Sequence, residues 1–164
     1  MRNPTRFILV ATLLLGCAGC DQITKGYARS HLSPGIVSSY LNDTVRIVNS
    51  ENVGAFLSAG ESLSKPVRTA IFQGGVGLIV LGLIATALLS RSLSRLQVVA
   101  LALMAASGLG NLIDRILHDG HVTDFLNVGL GPLRTGIFNV ADICGVVAVI
   151  VLLFQGGGAS PDPR

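Results

Sequence analysis

Charge is scarce in this chain: only 13% of its 164 residues are Asp, Glu, Lys or Arg, and nine of those are acidic. A soluble domain carries about 25%. With half the residues apolar and a mean hydropathy of +0.65, the composition is that of a membrane protein. Aromatic residues are also scarce, at 5% with no tryptophan. This excludes the basic-aromatic stripe of a nucleic-acid-binding surface, and the net charge of +3 adds no argument for one. There are three cysteines, Cys17, Cys20 and Cys144, all within apolar runs. An odd number so placed excludes a disulfide framework. The Cys17-x-x-Cys20 spacing has no second pair or histidine cluster to complete a metal site, so neither metal nor cofactor is expected.

What the chain has instead is long hydrophobic runs. About 18 apolar residues suffice to cross a hydrocarbon core of about 30 Å, and three runs reach that length: 67–89, 96–113 and 137–154. A fourth, from Phe7 to Cys20, is short, but Asp21-Gln22-Ile23-Thr24-Lys25 can extend it as one helix, with Asp21 and Lys25 paired a turn apart. The expected fold is an all-α membrane protein of four transmembrane helices, at about 7–25, 67–89, 96–113 and 137–154, forming one domain over 1–154. Arg2, Arg6 and the short turn Arg91-Ser-Leu-Ser-Arg95 place both termini and that turn in the cytoplasm. Every acid except Asp162 then lies in or beside the two segments on the other side, which is where chemistry is expected.

The amino terminus imitates a lipoprotein signal: Arg2 and Arg6, an apolar stretch, then Leu14-Leu15-Gly16-Cys17. A lipoprotein would continue as a soluble domain, whereas three more hydrophobic runs follow here, so the segment reads as the first span. The extramembrane segment, about 26–66, contains a partly alternating, β-branched stretch from Thr44 to Asn49, flanked by turn chemistry at Pro34-Gly35 and Leu41-Asn42-Asp43. A small sheet is expected there. The tail, 155–164, rich in glycine and proline, is expected to be disordered.

Carboxylates near apolar segments are costly and point to function. Asn111 and Asp114 share one helical face, as do Asn139 and Asp142. The segment of about twenty residues between these pairs carries Asp124, so three acids converge near one interface. Arg115 offers Asp114 an ion-pair partner, which favours a structural role for it. Asp124 and Asp142 have no adjacent cation. Asp142 stands among Ala141, Ile143, Cys144 and Val146, where desolvation favours its neutral form, and a second carboxylate nearby would push the two titrations apart. Such a pair suits an aspartyl dyad that activates water. For Asp124 the competing reading is a turn or cap without catalysis. His31, His118 and His121 lack a ligand set and read as peripheral. Ser58 and Ser107 lack a base at a motif spacing, which argues against a serine peptidase.

Five blocks, Asp21-Gln22-x-Thr24-Lys25, Asn52-x-Gly54-Ala55-Phe56, Gly110-Asn111-Leu112-Ile113-Asp114-Arg115, Val122-x-Asp124-Phe125 and Phe138-Asn139-Val140-Ala141-Asp142, together resemble the lipoprotein signal peptidase (signal peptidase II) family. Each is weak alone, but they keep the family's order and cover most of the chain. The resemblance implies an intramembrane aspartic endopeptidase that cleaves bacterial prolipoproteins before the diacylglyceryl-modified cysteine, in the inner membrane. It implies Asp124 and Asp142 as the catalytic pair, with Asn52, Gly54, Asn111, Asp114, Arg115, Asn139 and Ala141 shaping the site. Asp21 and Lys25 would form a supporting polar network, and the extramembrane segment a β-cradle. Diacylglyceryl-modified prolipoproteins and membrane lipids are the implied partners, and a monomer the expected state.

The chain departs from the family's common wording at Asn52-Val-Gly-Ala-Phe-Leu-Ser58, where a second alanine often precedes the phenylalanine. It departs again at Ala141-Asp-Ile143, where a serine often follows the aspartate. The second change removes a hydroxyl that could bond Asp142. Two readings outside proteolysis stand beside this one: a small proton-coupled membrane transporter, and a noncatalytic lipoprotein or membrane adaptor.

Overall fold

The computed structural model describes residues 4–54 and 60–156. Arg2, Ala55, Phe56, Ser58 and residues 157–164 of the tail lie outside the described residues. Helix α1 runs over Pro4–His31, and strands β1 (Ser38–Tyr40) and β2 (Val45–Asn52) follow. Next come α2 (Lys65–Thr69), a π-helical turn (Ala70–Gly75) and α3 (Val76–Leu89), continuous as one helical segment, Lys65–Leu89. The chain continues through α4 (Arg95–Leu117), β3 (Val122–Leu130), β4 (Leu133–Arg134) and α5 (Val140–Gly156).

Among the described residues, three helical segments are long and apolar enough to cross a membrane: Pro4–His31, Lys65–Leu89 and Arg95–Leu117. The fourth expected span is a shorter apolar helix, because residues 137–139 are extended and α5 begins only at Val140. Phe138 bridges to Leu126 of β3 instead. Helix α4 outruns its expected end at residue 113, so that Asp114 and Arg115 sit in its last turns. Its start is fixed by a reciprocal capping box between Ser94 and Gln97.

The helices pack as they do in membranes, with small residues inside and large ones out. Helix α4 is central and meets α1, α3 and α5. Ala100, Ala102, Ala105 and Ala106 are fully buried in it, as is Ala87 of α3, while Leu78, Leu81, Leu153 and Phe154 are exposed. Gly110 permits the closest approach: a Cβ there would lie 2.7 Å from Asp21 Oδ2 and 3.0 Å from the Ala141 Cβ. At Gly108 it would lie 2.7 Å from Val80 Cγ2.

The expected small sheet is present and larger than the sequence suggested, with four antiparallel strands in the order β1-β2-β3-β4. The turn between β1 and β2 takes Leu41, Asn42 and Asp43 through positive φ. Asp43 is then clasped by Arg46, with bonds of 2.7 and 2.6 Å. An irregularity between Ile47 and Ser50 resets the pairing, so that Ser50 faces Asp124 and Asn52 faces Val122. Asn52 and Asp124 thus become diagonal neighbours across two strands.

Candidate active site

The five sequence blocks meet in one hydrogen-bonded network. Its floor is ionic. Asp21, Lys25 and Asp114 are fully buried, and Lys25 Nζ lies 2.7 Å from Asp21 Oδ2 and 3.4 Å from Asp114 Oδ2. Lys25 also donates to Asn111 Oδ1 at 2.8 Å. Asp21 in turn accepts from the backbone N–H of Ala141 at 2.9 Å, which ties α1 to the start of α5. The expected ion pair between Asp114 and its sequence neighbour Arg115 does not form. Adjacent helical residues point about 100° apart, so Asp114 faces α1 and is held by Lys25 and by Arg29 Nη1 at 3.2 Å. Arg115 faces the loop after β2, where Nη2 donates to Gly54 O at 2.5 Å and the guanidinium stacks over Phe72.

The carboxyl pair stands on this floor. Asp124, on β3, accepts from Asn139 Nδ2 at 2.6 Å and from Asn52 Nδ2 at 3.2 Å. Asp142 accepts from Asn111 Nδ2 at 3.1 Å and from the Asn139 backbone N–H at 3.0 Å. Asn139 therefore bonds both acids and also returns its Oδ1 to the Asp142 N–H at 3.1 Å. That exchange is a capping box, with Asn139 at the N-cap and Asp142 at the third position of α5. The helix that carries Asp142 thus begins with the acid itself as part of its cap. Three bonds between Phe138 and β3 hold the cap beside Asp124: Phe125 N to Phe138 O, Leu126 N to Phe138 O, and Phe138 N to Leu126 O.

Of the two acids, Asp124 is the more deeply buried. Asp124 is 6% exposed, whereas Asp142 is only half-buried. Strand β3 lies under the helices, while the first turn of α5 opens to one side. Burial pushes the Asp124 carboxyl up to about 6, and the charge of Asp142 adds to the rise. The bonds from Asn52 and Asn139 oppose it.

All the site residues expected from the sequence join this arrangement. Gly54 donates its N–H to Asn52 Oδ1 at 2.9 Å, which fixes the amide that serves Asp124. Two residues were missed. Arg29 binds Asp114 and also donates to Thr123 Oγ1 at 2.8 Å, and the Thr123 N–H donates to Asp114 Oδ2 at 2.9 Å. The spacing of Arg29, one turn after Lys25, was the available signal. His118 and His121 lie at the carboxyl end of α4, each with Nδ1 near a backbone carbonyl, while His31 stacks on Tyr27. Ser107 packs against Gly145.

Comparison with known proteins bears on the same blocks. The sequence profile of Signal peptidase (SPase) II matches residues 13–156. A lipoprotein signal peptidase of Syntrophus aciditrophicus is 35% identical over 159 residues, covering 93% of each chain. One of Bifidobacterium longum is 32% identical over 157 residues, covering 93% of this chain and 80% of its own length. One of Treponema pallidum is 36% identical over 132 residues, covering 75% of this chain and 70% of its own. Two solved structures described as a bacterial membrane enzyme share the fold. They have TM-scores of 0.76 and 0.75 at 22% and 24% identity, covering 98% and 95% of this chain and 94% of each of theirs. Neither the transporter nor the adaptor reading finds support among these relatives. The chain belongs to the signal peptidase II family of membrane proteases.

Proposed function

We propose that the protein cleaves bacterial prolipoproteins immediately before the diacylglyceryl-modified cysteine, by an aspartic mechanism in which Asp124 and Asp142 activate water. The observation that carries this reading is the placement of two carboxyls on one asparagine, Asn139, with the more buried acid pushed up to about 6. A general acid and a general base must differ in protonation to act together. Asp142, bonded by two donors at the positive end of a helix, takes the proton from water as it attacks the scissile carbonyl. Asp124 enters protonated and gives its proton to the developing alkoxide; when the resulting diol collapses, Asp142 passes the proton it took from water to the departing amine, and Asp124 recovers a proton from the diol hydroxyl. Asn52, Asn111 and Asn139 keep the two carboxyls turned toward the shared water, while the ion pairs of Asp21, Lys25, Asp114 and Arg29 fix the helices that carry them.

In this reading four spans cross the bacterial inner membrane as a monomer, with both termini cytoplasmic. The carboxyl pair lies at the outer edge of the bilayer. A lipidated substrate can then keep its acyl chains among membrane lipids while its peptide enters in extended form. The test is cleavage of a diacylglyceryl-modified prolipoprotein peptide by purified protein, with the product identified by mass. A folded wild-type protein that leaves this peptide intact would overturn the proposal. So would cleavage that persists in both Asp124→Asn and Asp142→Asn.

A further inference from the structure

At the end of the bundle remote from the acids, another buried cation has an incomplete set of partners. Arg6 of α1 is 4% exposed. It lies nineteen positions before Lys25, about 28 Å along the helix axis, which matches the thickness of a hydrocarbon core. Its Nε donates to Ala87 O at 2.5 Å and its Nη1 to Ser90 O at 2.7 Å, closing the carboxyl end of α3. Nη2 is buried and donates to no acceptor among the described residues. Among the described residues no carboxylate serves this end: α1 up to Cys20, the whole of α3, α4 up to Ile113 and α5 after Asp142 contain no Asp or Glu. A buried donor left without an acceptor is costly, and more so when charged.

Arg6 lines a small open cleft together with Leu9, Leu93, Arg95 and Val98. Two guanidinium groups thus meet three apolar side chains at the level of a membrane surface, beside exposed Phe7 and Ile8. The cations match an anionic oxygen cluster, and guanidinium forks suit phosphate geometry. The apolar wall matches the first methylenes of an acyl chain. We propose that this cleft holds the phosphate of an anionic phospholipid headgroup, with Arg6 as the buried donor and Arg95 as the exposed one. A free phosphate ion shares the first chemistry but not the second.

The test uses the purified, delipidated full chain in native mass spectrometry. Phosphatidylglycerol is added and compared with phosphatidylcholine of the same acyl chains. Arg95 is the residue to change, because it is exposed and supports no helix end, whereas removal of Arg6 would also open the end of α3. The expected result is one tightly retained phosphatidylglycerol per chain, preferred over phosphatidylcholine. Arg95→Gln weakens it about fivefold, the effect of about 1 kcal/mol per basic residue at a lipid surface. Arg91→Gln, in the same turn but outside the cleft, leaves binding unchanged, and so does deletion of residues 157–164, which carry Asp162. Equal retention of the two lipids would overturn the proposal, as would equal loss in Arg91→Gln and Arg95→Gln. Displacement by inorganic phosphate would show that the anion alone is recognised and would overturn the lipid assignment. A marked gain in lipid binding on deleting the tail would assign the cleft to the tail carboxylates instead.

Discussion

At the Arg6 end of the bundle, Val10, Ala87, Val98 and Ala102 close the helices directly on one another. At the other end α1, α4 and the start of α5 meet through Asp21, Lys25, Asp114 and Asn139, all fully buried. The first arrangement needs only shape, and small side chains provide it. The second removes three charges from water, a cost that their mutual attraction offsets only with good geometry. Spending stability in this way makes sense where direction matters more than cohesion. Apolar packing tolerates small shifts, but an ammonium bonded to two carboxylates and an amide fixes α1 and α4 at a defined depth and rotation.

That contrast can be broken most severely at the acids. Asp124→Asn and Asp142→Asn should each lower kcat by about 10⁴-fold or more, with unfolding in detergent checked alongside. Asp142→Asn should also cost some helix stability, since it alters the cap of α5. Next in size is Lys25→Met, which leaves Asp21 and Asp114 without the ammonium they share and should destabilise the fold by about 3–5 kcal/mol, read as a fall in thermal midpoint with loss of cleavage.

Two glycines of one helix then sharpen the comparison. Gly110→Ala drives a methyl against Asp21 and Ala141 at the polar end, whereas Gly108→Ala meets only the tip of Val80. Each should cost about 1–3 kcal/mol, but only Gly110→Ala should lower kcat, because only it moves the polar network. Gly82→Ala, with open space around it, should stay within about 0.5 kcal/mol.

The smallest effect is on pH dependence. In the proposed mechanism Asp124 enters protonated, and burial pushes its carboxyl up to about 6, so kcat/KM should fall as pH rises through about 6. Asn52→Leu removes a bond that favours the carboxylate, so this descending limb should move to higher pH. A limb that stays in place would remove Asn52 from the control of Asp124.

The helices were legible from run length and the acids from their cost in an apolar setting. Partner choice was not. Adjacency suggested Asp114 with Arg115, but the helical rotation between neighbours sent them to different elements, and only the folded contact of α1 with α4 reveals Lys25 and Arg29 as the partners of Asp114. The relative burial of Asp124 and Asp142 was not legible for a similar reason. Local composition around Asp142 is apolar, but exposure is decided by what packs over a residue, and β3 is covered where the first turn of α5 is not. The strand around Asp124 was missed because its pairing with β2 joins residues more than seventy positions apart. The reset of register between Ile47 and Ser50, which sets Asn52 diagonal to Asp124, leaves no local mark in the sequence.

The donors to the two acids come from three separate stretches of chain: Asn52 on β2, Asn111 on α4 and Asn139 at the start of α5. No fragment that stops before residue 142 contains the pair, and none that lacks α1 contains the ammonium beneath it. Under the proposed mechanism, a polypeptide threaded into the bilayer segment by segment would therefore carry no hydrolytic capacity until its last helix has docked. The timing of assembly is itself a safeguard, since a half-inserted protease has nothing with which to cut its neighbours.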